Sequence, residues 1–170
     1  MVDYDRRSTH PEPLMSNAQP TILITGCGSG IGHALALAFH QAGLHVCATA
    51  RRPESMAALQ AQGIMTLPLD VTDAQAIHAV RLTLQEQNRW VSTLVNNAGY
   101  GAMGPISDVS GDEWRKQFDV NLFAPMALTR AVLPQMAARK QGRIVNISSV
   151  SGVMTTPFAG PYCASKAAMN

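Results

Sequence analysis

The chain has 170 residues, 46% of them hydrophobic and 14% charged, a balance that suits one soluble globular domain and excludes a disordered polypeptide. Its 13 basic and 11 acidic residues, net +2, are spread along the sequence, so no basic stripe points to nucleic acid. No apolar run reads as a signal peptide or a membrane span, and small-molecule chemistry is the class that remains.

Residues 1–20, with Arg6, Arg7, Pro11, Pro13 and Pro20 among polar neighbours, read as a mobile tail in which Met15 is an alternative start. From Thr21 apolar runs of strand length alternate with helical patterns. TILIT (21–25) is a buried strand, 30–42 a helix ending near Gly43, and LHVCAT (44–49) a second strand. A helix over 53–62, a strand over 64–69, an amphipathic helix over 73–88 and a strand over 91–96 follow. A Gly-rich loop (99–105), a long helix over 112–139 that Pro125 and Pro134 should kink, and a fifth strand over 143–148 complete the series. Such alternation, with strands rich in Val, Ile and Leu, predicts an α/β doubly wound parallel sheet of Rossmann type occupying 21–170.

Cys27, Cys47 and Cys163 lie far apart without a CxxC pair, which reads as reduced thiols of a cytoplasmic protein. The five histidines show no ligand clustering, and no metal is expected.

The first strand runs into Thr25-Gly26-Cys27-Gly28-Ser29-Gly30-Ile31-Gly32 and then a helix, where a doubly wound sheet binds a dinucleotide. Glycines there permit a tight turn and close approach of a pyrophosphate to main-chain N–H groups, beside the positive end of a helix. The spacing is TGxxxGxG rather than GxGxxG. About 20 residues on, where an NAD site would carry a carboxylate against the ribose, stand Ala50, Arg51 and Arg52. A guanidinium there pairs with a 2′-phosphate, so NADP(H) is favoured over NAD(H).

Tyr162 and Lys166 are four residues apart and share a face if helical. A free tyrosine, with a pKa near 10, is a poor proton donor at neutral pH. An ammonium at about 4–5 Å would favour the phenolate by roughly 3–4 kcal/mol at an effective dielectric of about 20, fitting Tyr162 to protonate a carbonyl oxygen and to act as base in reverse. Ser149 at the end of the fifth strand could bond the same oxygen, and Asn121 could interrupt the long helix and hold a proton-relaying water near Lys166.

Together TGxxxGxG (25–32), Asn96-Asn97-Ala98-Gly99, Ser149 and Tyr162-Cys163-Ala164-Ser165-Lys166 resemble the short-chain dehydrogenase/reductase family in its single-domain form, from about Thr21 onward. The resemblance implies an oxidoreductase acting on CH–OH and C=O groups, with Ser149, Tyr162 and Lys166 as catalytic triad and Asn121 as fourth member. It implies that Gly26, Ser29, Gly30, Ile31, Gly32, Arg51, Asp70, Asn97, Tyr162 and Lys166 contact the cofactor, Asp70 at the adenine and Lys166 at the nicotinamide ribose. Ser29 stands where many NADP-preferring relatives carry a basic residue, so the preference rests on Arg51. The stretches 47–54 and 97–105 look most like members acting on hydroxysteroids, retinoids and similar apolar alcohols or ketones, and relatives commonly form homo-oligomers.

The family continues past the YxxxK helix, whereas this sequence ends four residues after Lys166. It is therefore expected to be a truncated piece with an exposed fifth strand, weak cofactor binding and poor turnover. The rival to an enzyme is a non-catalytic dinucleotide-binding module, which would have no need of Tyr162, Lys166, Ser149 and Asn121 together. An epimerase or dehydratase would usually want a larger substrate domain.

Overall fold

The computed structural model describes residues 17–170. The expected N-terminal tail, Met15 included, lies almost wholly outside the described residues. In chain order the elements are β1 (Gln19–Thr25), α1 (Gly30–Gln41), β2 (Val46–Ala50), α2 (Ala57–Ala61) after a 3-10 turn at Pro53–Met56, and β3 (Met65–Pro68). They continue with α3 (Ala74–Glu86), β4 (Arg89–Asn96), α4 (Gly111–Phe118), α5 (Ala124–Arg139), β5 (Arg143–Asn146) and α6 (Gly160–Met169).

The five strands form one parallel sheet in the order β3-β2-β1-β4-β5. Because β1 connects outward to β2 while β4 starts the opposite wing, the sheet changes winding direction between β1 and β4, and their carboxyl ends open a crevice there.

Strand alternation sends neighbouring side chains to opposite faces. Leu23 and Leu94 join Ile77, Val80, Leu84, Leu128 and Val132 under α3 and α5. Ile22, Ile24 and Val95 join Ala36, Met56 and Leu59 under α1 and α2. A sheet covered on both faces explains why its strands read as nearly unbroken apolar runs.

Helix ends follow local chemistry. The Asp73 carboxylate caps α3 by accepting from the Gln75 N–H at 2.8 Å, and Ser110 caps α4 by accepting from the Glu113 N–H at 3.1 Å. Asn88, at φ 55°, turns the chain from α3 into β4, a left-handed conformation that asparagine tolerates better than most residues.

The long helix expected over 112–139 is two helices joined by a π-helical turn at Asp119–Phe123. Pro125 follows the widened turn directly, in the first turn of α5, and offers the Asn121 carbonyl no N–H, while Pro134 lies inside α5. Strand bounds also differ from expectation. Leu44, 47% exposed, precedes β2 rather than starting it, and β5 ends at Asn146, paired with the last residue of β4.

Leu94 is fully buried in the central strand β4. Leu94→Ala should lower unfolding free energy by about 2–5 kcal/mol, read from urea denaturation; a loss under about 1 kcal/mol would contradict this packing.

Candidate active site

At the crevice, β1 and β4 are tied together by side chains. The Thr25 hydroxyl accepts from the N–H groups of Asn97 (3.1 Å) and Ala98 (2.9 Å), and the Asn97 amide donates to the carbonyls of Thr25 (2.8 Å) and Gly26 (3.1 Å). Gly26 sits at φ +73°, and a Cβ there would lie 2.8 Å from Ala98 Cα. A Cβ on Gly32 would fall 2.5 Å from both the Gly26 oxygen and the Asn97 amide, so the first turn of α1 packs directly on this knot.

Ser29 precedes α1 without a side-chain capping bond, and no acidic residue stands in the first turn. The N–H groups opening α1 are thus left for an outside acceptor, at the positive end of the helix. Ile31, 59% exposed, projects from the same turn.

Two clefts meet over this turn. One, of about 370 Å³, runs past Gly28, Ala50, Arg51, Ser55 and Asp70 to Lys116. Asp70 accepts from the Thr72 N–H (2.9 Å) and hydroxyl (2.7 Å), and these bonds, with a smaller attraction to Arg51, hold its carboxyl below the usual range. The other, of about 290 Å³, is lined by Ser29, Ile31, Gly101, Ser148, Tyr162 and Lys166, among others. Gly26, Ser29, Ala98, Gly99 and Tyr100 border both.

Tyr162 and Lys166 lie one turn apart on α6. Lys166 is 5% exposed, its ammonium donates to the Ile147 carbonyl at 2.7 Å, and burial pulls its pKa down. Asn121, in the π-helical turn, is buried. Its carboxamide accepts from the Tyr100 N–H (3.1 Å) and donates to the Tyr100 carbonyl (2.9 Å) and the Ser165 hydroxyl (3.0 Å), which in turn donates to the Tyr162 carbonyl (2.9 Å).

Of the residues singled out in the sequence, Gly26, Ser29, Ile31, Asn97, Tyr162 and Lys166 border the smaller cleft, and Arg51 and Asp70 border the larger. Gly30 and Gly32 lie in the first turn of α1. Ser148 lines the smaller cleft, and Ser149 follows it directly, its hydroxyl accepting from the Ser151 N–H at 3.1 Å. Thr25, Tyr100, Gln117 and Ser165 were not legible as site residues, because each makes its contacts across elements distant in sequence.

A family model described as short chain dehydrogenase matches residues 20–170. The chain belongs to the short-chain dehydrogenase/reductase family. A short-chain dehydrogenase from Streptomyces avermitilis superposes with a TM-score of 0.84 at 39% identity, over 91% of this chain and 58% of its own. 4-Hydroxyisoleucine dehydrogenase complexed with NADH gives a TM-score of 0.80 at 34% identity, over 89% and 65%. The NADPH-dependent 1-acyldihydroxyacetone phosphate reductase of Schizosaccharomyces pombe is 40% identical over 89% of this chain and 52% of its own. This short-chain dehydrogenase/reductase chain spans about half the length of the curated relatives it matches. Among its described residues, no helix is long and apolar enough to cross a membrane.

Tyr100 has a distinct electrostatic setting at the junction of the clefts. Its hydroxyl donates to Glu113 at 2.7 Å, and desolvation, then this bond and the Glu113 charge, push the phenol up to about 12. The folded value exceeds the free one, so the stability this group contributes is complete below a pH of about 10 and is lost as pH rises through about 12. Glu113→Gln should shift the ionisation of Tyr100 to lower pH, followed by phenolate absorbance against a Tyr100→Phe control. Equal titration of Tyr100 in both proteins would remove Glu113 as a cause.

Proposed function

We propose that this chain serves hydride transfer between NADP(H) and the carbonyl or alcohol carbon of a small apolar substrate, with Tyr162 as general acid and base. The observation that carries this reading is the opening of Tyr162 and Lys166 into the same cleft as the uncapped first turn of α1. Such a turn suits a pyrophosphate, and Gly32, where any side chain would collide with Gly26, supports a cradle kept bare for one.

When bound, the reduced nicotinamide supplies the hydride. Gly26, Ser29, Gly30, Ile31 and Gly32 would hold the pyrophosphate, Asp70 the adenine, Asn97 and Lys166 the ribose beside the nicotinamide, and Arg51 the 2′-phosphate. Tyr162 donates its hydroxyl proton to the carbonyl oxygen during reduction and takes it back in oxidation. One donor of Lys166 is engaged by Ile147, leaving two donors to bind ribose. The Ser149 hydroxyl oxygen accepts from Ser151, which leaves its proton to donate to the substrate oxygen.

Asn121 is read as holding a relay water through its main-chain carbonyl. Its side chain is occupied by Tyr100 and Ser165, whereas Pro125, four residues on, offers that carbonyl no N–H. An apolar substrate is favoured by Val153, Met154 and Phe158, exposed on the loop before α6, and Met103 on the facing loop, bridged by the Gly104 N–H to Phe158 carbonyl bond of 2.8 Å. Exposed Phe123 at the end of the π-helical turn, with Met126 and Leu133 along α5, suits homo-oligomer formation, and the three free buried cysteines suit the reducing cytoplasm.

Tyr162→Phe, in the protein at its natural length, should cut NADPH-dependent reduction of apolar ketones by about 100-fold or more while NADPH still binds. Retained turnover would overturn the role of Tyr162. Cofactor binding without turnover in the unsubstituted protein would favour a non-catalytic nucleotide-binding module.

Arg51→Ala should weaken NADPH by about 10–100-fold and NADH by far less, the range of one charged hydrogen bond, as measured by fluorescence titration. An unchanged NADPH/NADH ratio would place the discrimination elsewhere.

A further inference from the structure

Gln117 is fully buried although it lies on α4, whose other polar side chains are charged. Its carboxamide is spent on one stretch of backbone: Nε2 donates to the Tyr100 carbonyl and Oε1 accepts from the Ala102 N–H at 2.8 Å. The Tyr100 carbonyl also accepts from Asn121, four residues further along the same helical face. Gln117 and Asn121 thus grip the two sides of Gly101. A Cβ on Gly101 would lie 3.3 Å from the ring of Tyr162, so this backbone is the wall against which the phenol rests. Gln117 itself is absent from the lining of both clefts.

We infer that Gln117 is a positioning residue for Tyr162, fixing the ring through the Tyr100–Ala102 segment without touching substrate or cofactor. The inference rests on the reading of Tyr162 as the proton-transfer group. Proximity effects fall steeply with small misplacements, so loosening this wall acts on the chemical step more than on binding. Gly101 needs no positive φ, and only the narrow space over the ring bars a side chain there.

The test is a double-mutant cycle in the protein at its natural length. Gln117→Met keeps the volume and removes both bonds to the loop; it should lower kcat by about 10–100-fold with KM and NADPH affinity changed less than about threefold. In a Tyr162→Phe background the same substitution should change the residual rate by less than about twofold. An equal loss in both backgrounds, or a loss confined to KM or NADPH affinity, would overturn the positioning role. If Gln117→Met does not fold, judged by circular dichroism, Gln117→Leu, which also removes both bonds to the loop, enters the cycle in its place, with the same pattern expected and the same outcomes against it. Failure of the underlying reading is distinguishable, because Tyr162→Phe would then keep full turnover by itself.

Discussion

The knot between Thr25 and Asn97 is the constraint on which the site depends. Two parallel strands adjacent in the sheet but 72 positions apart in sequence must end at the same height, and one hydroxyl with one carboxamide fixes that height. All the groups involved are main chain or short uncharged side chains, so the carboxyl end of the sheet is rigid without carrying charge. Anything that binds over it meets the field of α1 and the charges set around the rim: Arg51, Arg52, Asp70, Lys116 and Asp119 at one end, Lys166 at the other.

A second set of amides extends this order outward. Asn121 and Gln117 grip the loop after β4, and Asn121 joins it through Ser165 to the turn of α6 that bears Tyr162. Each amide meets partners on both its donor and acceptor sides, as burial demands. The cysteines stand outside this scheme. Burial pushes the Cys27 and Cys47 thiols up to about 12, so they behave as packing groups rather than nucleophiles.

The sheet was legible because strands covered on both faces must be apolar throughout, and the glycine turn and the Tyr162/Lys166 pair were legible because their spacing is local. The break in the long helix was less so. Asn121 and Pro125 hint at irregularity, yet a π-helical turn depends on tertiary contacts such as those of Asn121 with Tyr100 and Ser165. Gln117 gave no signal at all, since a glutamine among Arg115, Lys116 and Asp119 reads as part of a solvated surface. Its burial follows from a loop folding over α4, an event no periodicity records.

The π-helical turn at Asp119–Phe123 makes the number of residues between α4 and α5 matter as much as their identity. Deleting a single position there would restore regular winding and close the widened turn, with α4 and α5 keeping nearly the same relative angle, because five π-helical residues turn about as far as four α-helical ones. Gln117, outside the turn, would keep its loop, whereas the Asn121 carboxamide, inside it, would lose its place between Tyr100 and Ser165. Natural variation in this segment should therefore come as replacement rather than as gain or loss of length, while the surface loops nearby remain free to change size.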